Sequence, residues 1–76
     1  MNAKRRDLLQ KIDQLLSQAH DLLEEVRDEE QNAFDAMPES FQYGERGEKM
    51  ENAISGMEEA LGGIESAREF LEEAAA

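Results

Sequence analysis

The sequence predicts an all-α protein, an antiparallel helical hairpin of the coiled-coil type that dimerises into a four-helix bundle. Two long stretches repeat apolar residues at heptad spacing, which is typical of packed helices. A short segment with Pro38, Gly44 and Gly47 separates them. The 76 residues make one domain, 1–76, too small to build a stable core easily without a partner.

Helix 1 is expected at about residues 4–36. Its apolar residues follow steps of 4, 3, 4, 3 and 4, the spacing of a heptad seam: Leu8, Ile12, Leu15, Ala19, Leu22 and Val26. A second row, Leu9, Leu16 and Leu23, lies beside this seam and widens the apolar stripe. Pro38 disfavours helical geometry at Met37, so the helix should end there.

The turn is expected at about residues 37–45. Its neighbourhood holds a cluster of large apolar side chains: Phe34, Met37, Phe41 and Tyr43. Two interpretations stay open for this cluster. The side chains either close the end of the bundle or form a contact patch for a partner, because aromatic residues are favoured anchors of interfaces.

Helix 2 is expected at about residues 46–74 and has a regular heptad. One position holds Met50, Met57, Ile64 and Leu71, another holds Ala53, Ala60, Ala67 and Ala74, and Gly56 and Gly63 precede large residues. Each glycine weakens a helix by about 1 kcal/mol relative to alanine. The small residues lie on one side, which indicates that another backbone approaches closely there. Gly62 has no such place in the pattern.

The antiparallel arrangement follows from spacing and charge. Pairing residues whose numbers sum to about 80 sets Leu9, Leu16 and Leu23 against Leu71, Ile64 and Met57. The same register is expected to bring Lys4, Arg5 and Arg6 near Glu69, Glu72 and Glu73. A lone hairpin leaves one face of each helix uncovered, so we expect a homodimer with a closed two-fold interface. The alternative is that the hairpin docks onto a different protein.

Composition narrows the classes of function. The net charge of −11 disfavours direct binding to nucleic acid or to an anionic membrane and permits binding to a basic surface. The chain has no cysteine, and no apolar run reaches the ~20 residues of a membrane span or resembles a secretory signal. We therefore expect a cytoplasmic protein, in the host cytoplasm if a phage encodes it.

No pattern in the sequence predicts catalysis, a metal site or a cofactor. His20, the single histidine, is expected at the edge of the stripe or on the surface, without catalytic partners. Phosphate-binding loops, nucleophile elbows and calcium loops do not occur. The Glu-x-x-His motif of di-iron bundles is missing too. We expect a protein that is not an enzyme.

Charge is unevenly distributed along the chain. Residues 1–20 carry +2, residues 21–45 carry −8, and residues 46–76 carry −5. Rows of carboxylates on rigid helices resemble the phosphates of DNA, which carry a charge every ~1.7 Å of axis. The acids expected to bind a partner in this way are Glu24, Glu25, Asp28, Glu29, Glu30, Glu58 and Glu59. The alternative is an acidic face that only aids solubility.

Residues of about 24–74 resemble a set of short, uncharacterised acidic coiled-coil proteins of phages, prophages and Gram-positive bacteria. The resemblance lies in the segments AFDAMPESFQ and ERGEKMENAI, which are followed by heptads of the LEEA type. It implies a mobile-element setting and paired helices, and it carries over no functional residues. Small acidic phage proteins are often similar to inhibitors of host defence, including anti-CRISPR and anti-restriction DNA mimics.

Two functions are therefore expected as alternatives. The first is inhibition of a basic host protein, such as a CRISPR or restriction nuclease, by a DNA-mimicking acidic surface. The second is a structural or adaptor module without inhibitory activity, a dimer that binds its partner through the turn aromatics.

Overall fold

The computed structural model describes all residues, 1–76, and consists of three helices: α1 (Ala3–Asp35), α2 (Glu39–Gln42) and α3 (Glu45–Ala75). Helix makes up 89% of the chain and no strand is present, which confirms the all-α class. The molecule is an elongated rod with principal extents of 58 × 15 × 12 Å. The two long helices begin and end within one residue of the positions expected from the sequence.

Both ends of α1 are held by side chains that satisfy free backbone groups. Asn2 is the N-cap, and its Oδ1 accepts a hydrogen bond of 2.9 Å from the backbone N–H of Arg5. At the other end, Gln42 Nε2 donates to the carbonyl oxygens of Phe34 and Met37, at 3.0 and 3.2 Å. Phe34 lies in the last turn of α1, where carbonyls have no intrahelical partner, and Met37 lies just beyond the helix end.

The expected turn is more ordered than its glycine and proline content indicates, because residues 39–42 form the short helix α2. Gly47, in the first turns of α3, is buried against it. A Cβ atom at Gly47 would overlap the backbone of Gln42, including its carbonyl oxygen. Glycine at this position therefore permits a close backbone approach that fixes the turn against α3.

α1 and α3 contact each other along one row of each helix. The row on α1 comprises Leu9, Asp13, Leu16, His20, Leu23, Arg27, Glu30 and Phe34, and the row on α3 comprises Gly47, Met50, Ile54, Met57, Leu61, Ile64, Arg68, Leu71 and Ala75. Ile54 and Leu61 are the only buried apolar side chains, each 7% exposed. The core is thus a single seam, thinner than the core of a globular domain.

Polar pairs across this seam define the direction of the two helices. Arg68 Nε donates to Asp13 Oδ1 at 2.8 Å, His20 Nε2 lies 2.9 Å from Glu65 Oε1, and Arg27 Nη1 lies 3.8 Å from Glu58 Oε1. As the residue number rises along α1, it falls along α3. The contacts are antiparallel, and the Asp13–Arg68 pair sets residues whose numbers sum to 81 side by side.

The expected ion pairs at the chain ends do not form. Lys4, Arg5 and Arg6 make no salt bridge, and neither do Glu69, Glu72 and Glu73. The register explains this correction, because it places these three glutamates beside residues 8–12. Of the basic residues at 4–6, Arg6 lines the same groove as Glu69 and Glu72 without forming a salt bridge to them, and Lys4 and Arg5 lie beside the last residues of α3.

Candidate functional site

The heptad seam that begins at Leu8 is turned away from α3 and is largely exposed. Each of its residues precedes a residue of the contact row by one position, which rotates it by about 100° around the helix. Five of its side chains are 44–65% exposed: Leu8, Ile12, Leu15, Leu22 and Val26. The more apolar of the two rows on α1 is therefore left uncovered, whereas the row that alternates leucine with polar residues packs within the chain.

A row of small residues on α3 lies on the same side of the rod. It too precedes the contact row by one position, and because the two helices run in opposite directions, the same step turns both rows to one side. The row comprises Ala53, Gly56, Ala60, Gly63, Ala67, Phe70 and Ala74. We call the two rows together the apolar face. It sets large residues of α1 beside small residues of α3.

The apolar face is open along its length. Cβ atoms added at Gly56 and Gly63 would meet nothing within 4 Å, and Phe70 is 68% exposed. Within one chain these glycines therefore do not serve the close helix approach that their spacing predicts. Any backbone that approaches them must come from outside this chain.

The opposite side of the rod is rich in carboxylates. The residues that follow each contact row by one position turn to this side, by the same geometry. Its acids, which we call the acidic face, are Asp21, Glu24, Asp28 and Asp35 on α1 and Glu48, Glu51, Glu58, Glu65, Glu69 and Glu72 on α3, all exposed. Gly62 lies in this row of α3, and a Cβ atom there would meet nothing within 4 Å.

The acids expected to bind a partner fall into different environments. Glu24, Asp28 and Glu58 lie on the acidic face, and Glu25 and Glu59 lie on the outer edges of their helices. The other two lie elsewhere: Glu29 continues the exposed row of Leu8, and Glu30 is half-buried in the contact row. The geometry instead adds glutamates of α3, from Glu48 to Glu72, to the acidic side.

Charge is polarised along the rod. The half that contains the turn, residues 21–60, holds thirteen acids and three bases, a net charge of −10. The half that contains both chain ends holds six acids and five bases, a net charge of −1. In the acidic half, Arg27 is engaged with Asp28 at 2.8 Å and with Glu58 at 3.8 Å, so it does not present a free positive charge.

His20 and Asp13 lie in the contact between the helices. The His20 side chain is 16% exposed, with Nδ1 3.8 Å from Glu24 Oε2, in addition to the contact of Nε2 with Glu65. The hydrogen bond from Arg68 holds the pKa of Asp13 below its ordinary value, and the same bond raises the pKa of Arg68. These groups join the helices to each other, and His20 is less exposed than expected.

The turn side chains divide into two pairs. Phe34 and Met37 are half-buried at the end of α1, whereas Phe41 and Tyr43 are 60% and 84% exposed. Phe41 and Tyr43 therefore do not close the end of the helix pair within one chain. Both are exposed aromatic side chains at the turn, at the end of the acidic half of the rod.

Other kinds of site find little support. A groove of about 540 Å³ lies between the helices near the chain ends, with Arg6, Asp7, Leu9, Gln10, Asp13, Glu65, Arg68, Glu69, Leu71, Glu72 and Ala75 along its walls. No group of three or more histidine, aspartate or glutamate residues is placed to hold a metal ion. None of the helices has the length and apolar content that crossing a membrane requires.

Comparisons with known proteins add no family. No family model, no curated protein and no solved structure matches this chain. Its function is therefore inferred from the two faces and the charge of the rod.

Proposed function

We propose that this protein binds and inhibits a basic, nucleic-acid-binding protein of a bacterial host by placing its acidic face in the groove that normally holds DNA or RNA. In this proposal α1 and α3 form a helical hairpin, and two hairpins join at their apolar faces into a four-helix bundle. Restriction and CRISPR nucleases are the class of partner that this chemistry fits, because their grooves are basic.

The polarised charge carries the proposal. Seven of the thirteen carboxylates in the acidic half of the rod lie on the acidic face. Over about half of the 58 Å rod they give one per roughly 4 Å, close to the ~3.4 Å per charge of a single DNA strand. The helices hold these carboxylates in fixed rows, so the surface is arranged before binding. A basic groove gains from such a surface as it does from phosphates, by releasing bound counterions.

In the proposed dimer, self-association and partner binding use separate surfaces, the apolar face and the acidic face. Joining the apolar faces removes the exposed leucines and isoleucine from water, and each buried CH₂ group contributes about 0.8 kcal/mol. The acidic faces then lie on the outside of the bundle, one on each side. Each dimer accordingly offers two carboxylate surfaces to its partner.

Partner capture from a bacterial lysate, using immobilised protein, tests the acidic face. We expect a captured basic protein to be released by rising salt and by added duplex DNA. The variant Glu24→Gln/Asp28→Asn/Glu58→Gln should lose capture. Its control, Glu45→Gln/Glu59→Gln/Glu73→Gln, removes the same charge from the outer edge of α3 and should retain it. Equal loss in both variants, or capture that resists salt and DNA, would contradict groove mimicry.

The exposed turn favours a second candidate, an adaptor that binds its partner through aromatic side chains. Phe41 and Tyr43 present large apolar surfaces beside charge, the setting of interface anchors. In that case Phe41→Ala/Tyr43→Ala should abolish capture and leave the dimer intact, while removal of charge from the acidic face should have little effect. Capture that survives the aromatic change excludes the turn as the anchor.

A further inference from the structure

We propose that the two copies join in antiparallel orientation, with α1 of one copy packed along α1 of the other and the two-fold axis crossing α1 near residue 17. This inference rests on the proposed dimer and adds its geometry. Three features support this orientation: the spacing of the exposed seam, the charges in line with it, and the polarised charge of the rod.

The exposed seam reads the same in both directions. Its residues, from Leu8 to Val26, are separated by steps of 4, 3, 4, 3 and 4, symmetric about residue 17. Two antiparallel copies therefore match seam residue with seam residue at every level. Leu8 meets Val26 of the partner copy, Ile12 meets Leu22 of the partner copy, and Leu15 meets Ala19 of the partner copy.

Charged residues in and beside the row are also placed symmetrically about residue 17, with a basic residue on one side and an acidic residue on the other. Arg5 and Glu29 continue the row at its two ends, each twelve residues from residue 17. In the antiparallel dimer, Arg5 lies opposite Glu29 of the partner copy, and this contact occurs twice. Lys11 and Glu25 flank the row, and the same register brings Lys11 beside Glu25 of the partner copy. No residue of these two pairs forms an ion pair within the chain.

The polarised charge opposes the other orientation. A two-fold axis along the rod would set the half with net charge −10 beside its equivalent half. Packed helices lie 8–10 Å apart, which is about the Debye length of ~8 Å at physiological salt, so this repulsion is only partly screened. The antiparallel dimer instead sets each −10 half beside a −1 half.

A distance measurement between spin labels tests the orientation. Tyr43→Cys places a single label at the exposed turn of a chain that has no other cysteine. At a rise of about 1.5 Å per residue, the end of α1 at Asp35 lies about 27 Å from residue 17. The labels, just beyond that end, should therefore be roughly 55–60 Å apart in the antiparallel dimer. Turns that lie together would give roughly 20 Å, from two helix diameters. A dimer with the short distance overturns the proposal.

Charge exchange gives an independent test of the register. Arg5→Glu and Glu29→Arg should each weaken dimerisation roughly three- to tenfold, and the double variant should restore it, because the exchanged charges again lie opposite each other. Gln14→Arg, on the side of the acidic face and away from the apolar face, is the control for a change of net charge. A double variant no stronger than the single variants overturns the register.

The two tests also separate this inference from the proposed function. If the protein is a monomer at all concentrations, both the dimer and its orientation are overturned. Partner capture by the acidic face is tested in a separate experiment. A dimer with the wrong label distance removes only the orientation.

Discussion

Arg68 on α3 donates hydrogen bonds to both carboxylate oxygens of Asp13 on α1, at 2.8 and 3.3 Å. The two residues lie 55 positions apart in the sequence, and their contact marks the register of the two helices. Both faces of the rod follow from that register. If the row one position earlier on α1 packed against α3 instead, the row of Leu8 would be covered and the carboxylates of α1 would turn to a different side of the rod.

The Asp13–Arg68 pair predicts a pH dependence of stability. The pKa of Asp13 is lowered in the folded chain by the hydrogen bond from Arg68. The pair therefore stabilises the fold at pH values above the ordinary pKa of aspartate, ~3.9. This contribution is lost as the pH falls through the pKa of Asp13 in the folded chain. Asp13→Asn should therefore lower the free energy of unfolding at pH 7, with a difference from the unmodified chain that shrinks on acidification. Urea unfolding at several pH values measures it.

The control for this titration is Asp7→Asn, because Asp7 forms no salt bridge. A difference for Asp13→Asn that stays constant with pH, or that equals the difference for the control, would show that the pair contributes nothing to stability. The contribution is small in any case, since both side chains are partly exposed.

Two glycines of α3 are predicted to respond in opposite ways to alanine. Gly47→Ala forces a Cβ atom into the backbone of Gln42 and should destabilise the chain by roughly 1–3 kcal/mol. Gly62→Ala meets open space and should stabilise it by about 0.5–1 kcal/mol through helix propensity. Thermal unfolding followed by circular dichroism compares them. Equal effects would contradict the packing at the turn.

Adjacent leucines of α1 are predicted to have different roles. Leu16 is half-buried against α3, whereas Leu15 is 63% exposed on the apolar face. Leu16→Gln should unfold the helix pair, while Leu15→Gln should leave the chain helical and dissociate the dimer. Circular dichroism and sedimentation of the two variants separate these outcomes, and a dimer unaffected by Leu15→Gln excludes the apolar face as the interface.

The row of small residues on α3 is predicted to tolerate a large side chain in the single chain but not in the dimer. A Cβ atom at Gly63 meets no atoms within 4 Å in the isolated chain, so helix propensity favours Gly63→Leu there. In the dimer, a bulky side chain would push the second copy away, and dimerisation should weaken at least tenfold, about 1.4 kcal/mol. Undiminished dimerisation would mean that this row faces water.

Much of the fold is readable from the sequence because heptads repeat. The row of Leu9, Leu16 and Leu23 lies in the contact row of α1, as expected, since leucines seven apart share one face of a helix. The polar residues of the same contact row were missed. Asp13, His20 and Arg27 are also seven apart, and that spacing was the available signal that they face α3.

The turn was less predictable for a physical reason. A helix of one turn, such as α2, is too short to have a hydrophobic period. The close approach of Gly47 to Gln42 depends on tertiary contact and leaves no local pattern. The two faces of the rod could not be predicted without knowing which row of each helix forms the contact. The sequence indicates only that paired residues have numbers that sum to about 80.

The molecular mass in solution tests the central claim, that a second copy covers the apolar face and leaves the acidic faces outside. Sedimentation equilibrium at micromolar concentration and physiological salt should give about 17 kDa, twice the 8.6 kDa of the chain. A mass of 8.6 kDa at every concentration up to the millimolar range would contradict the account.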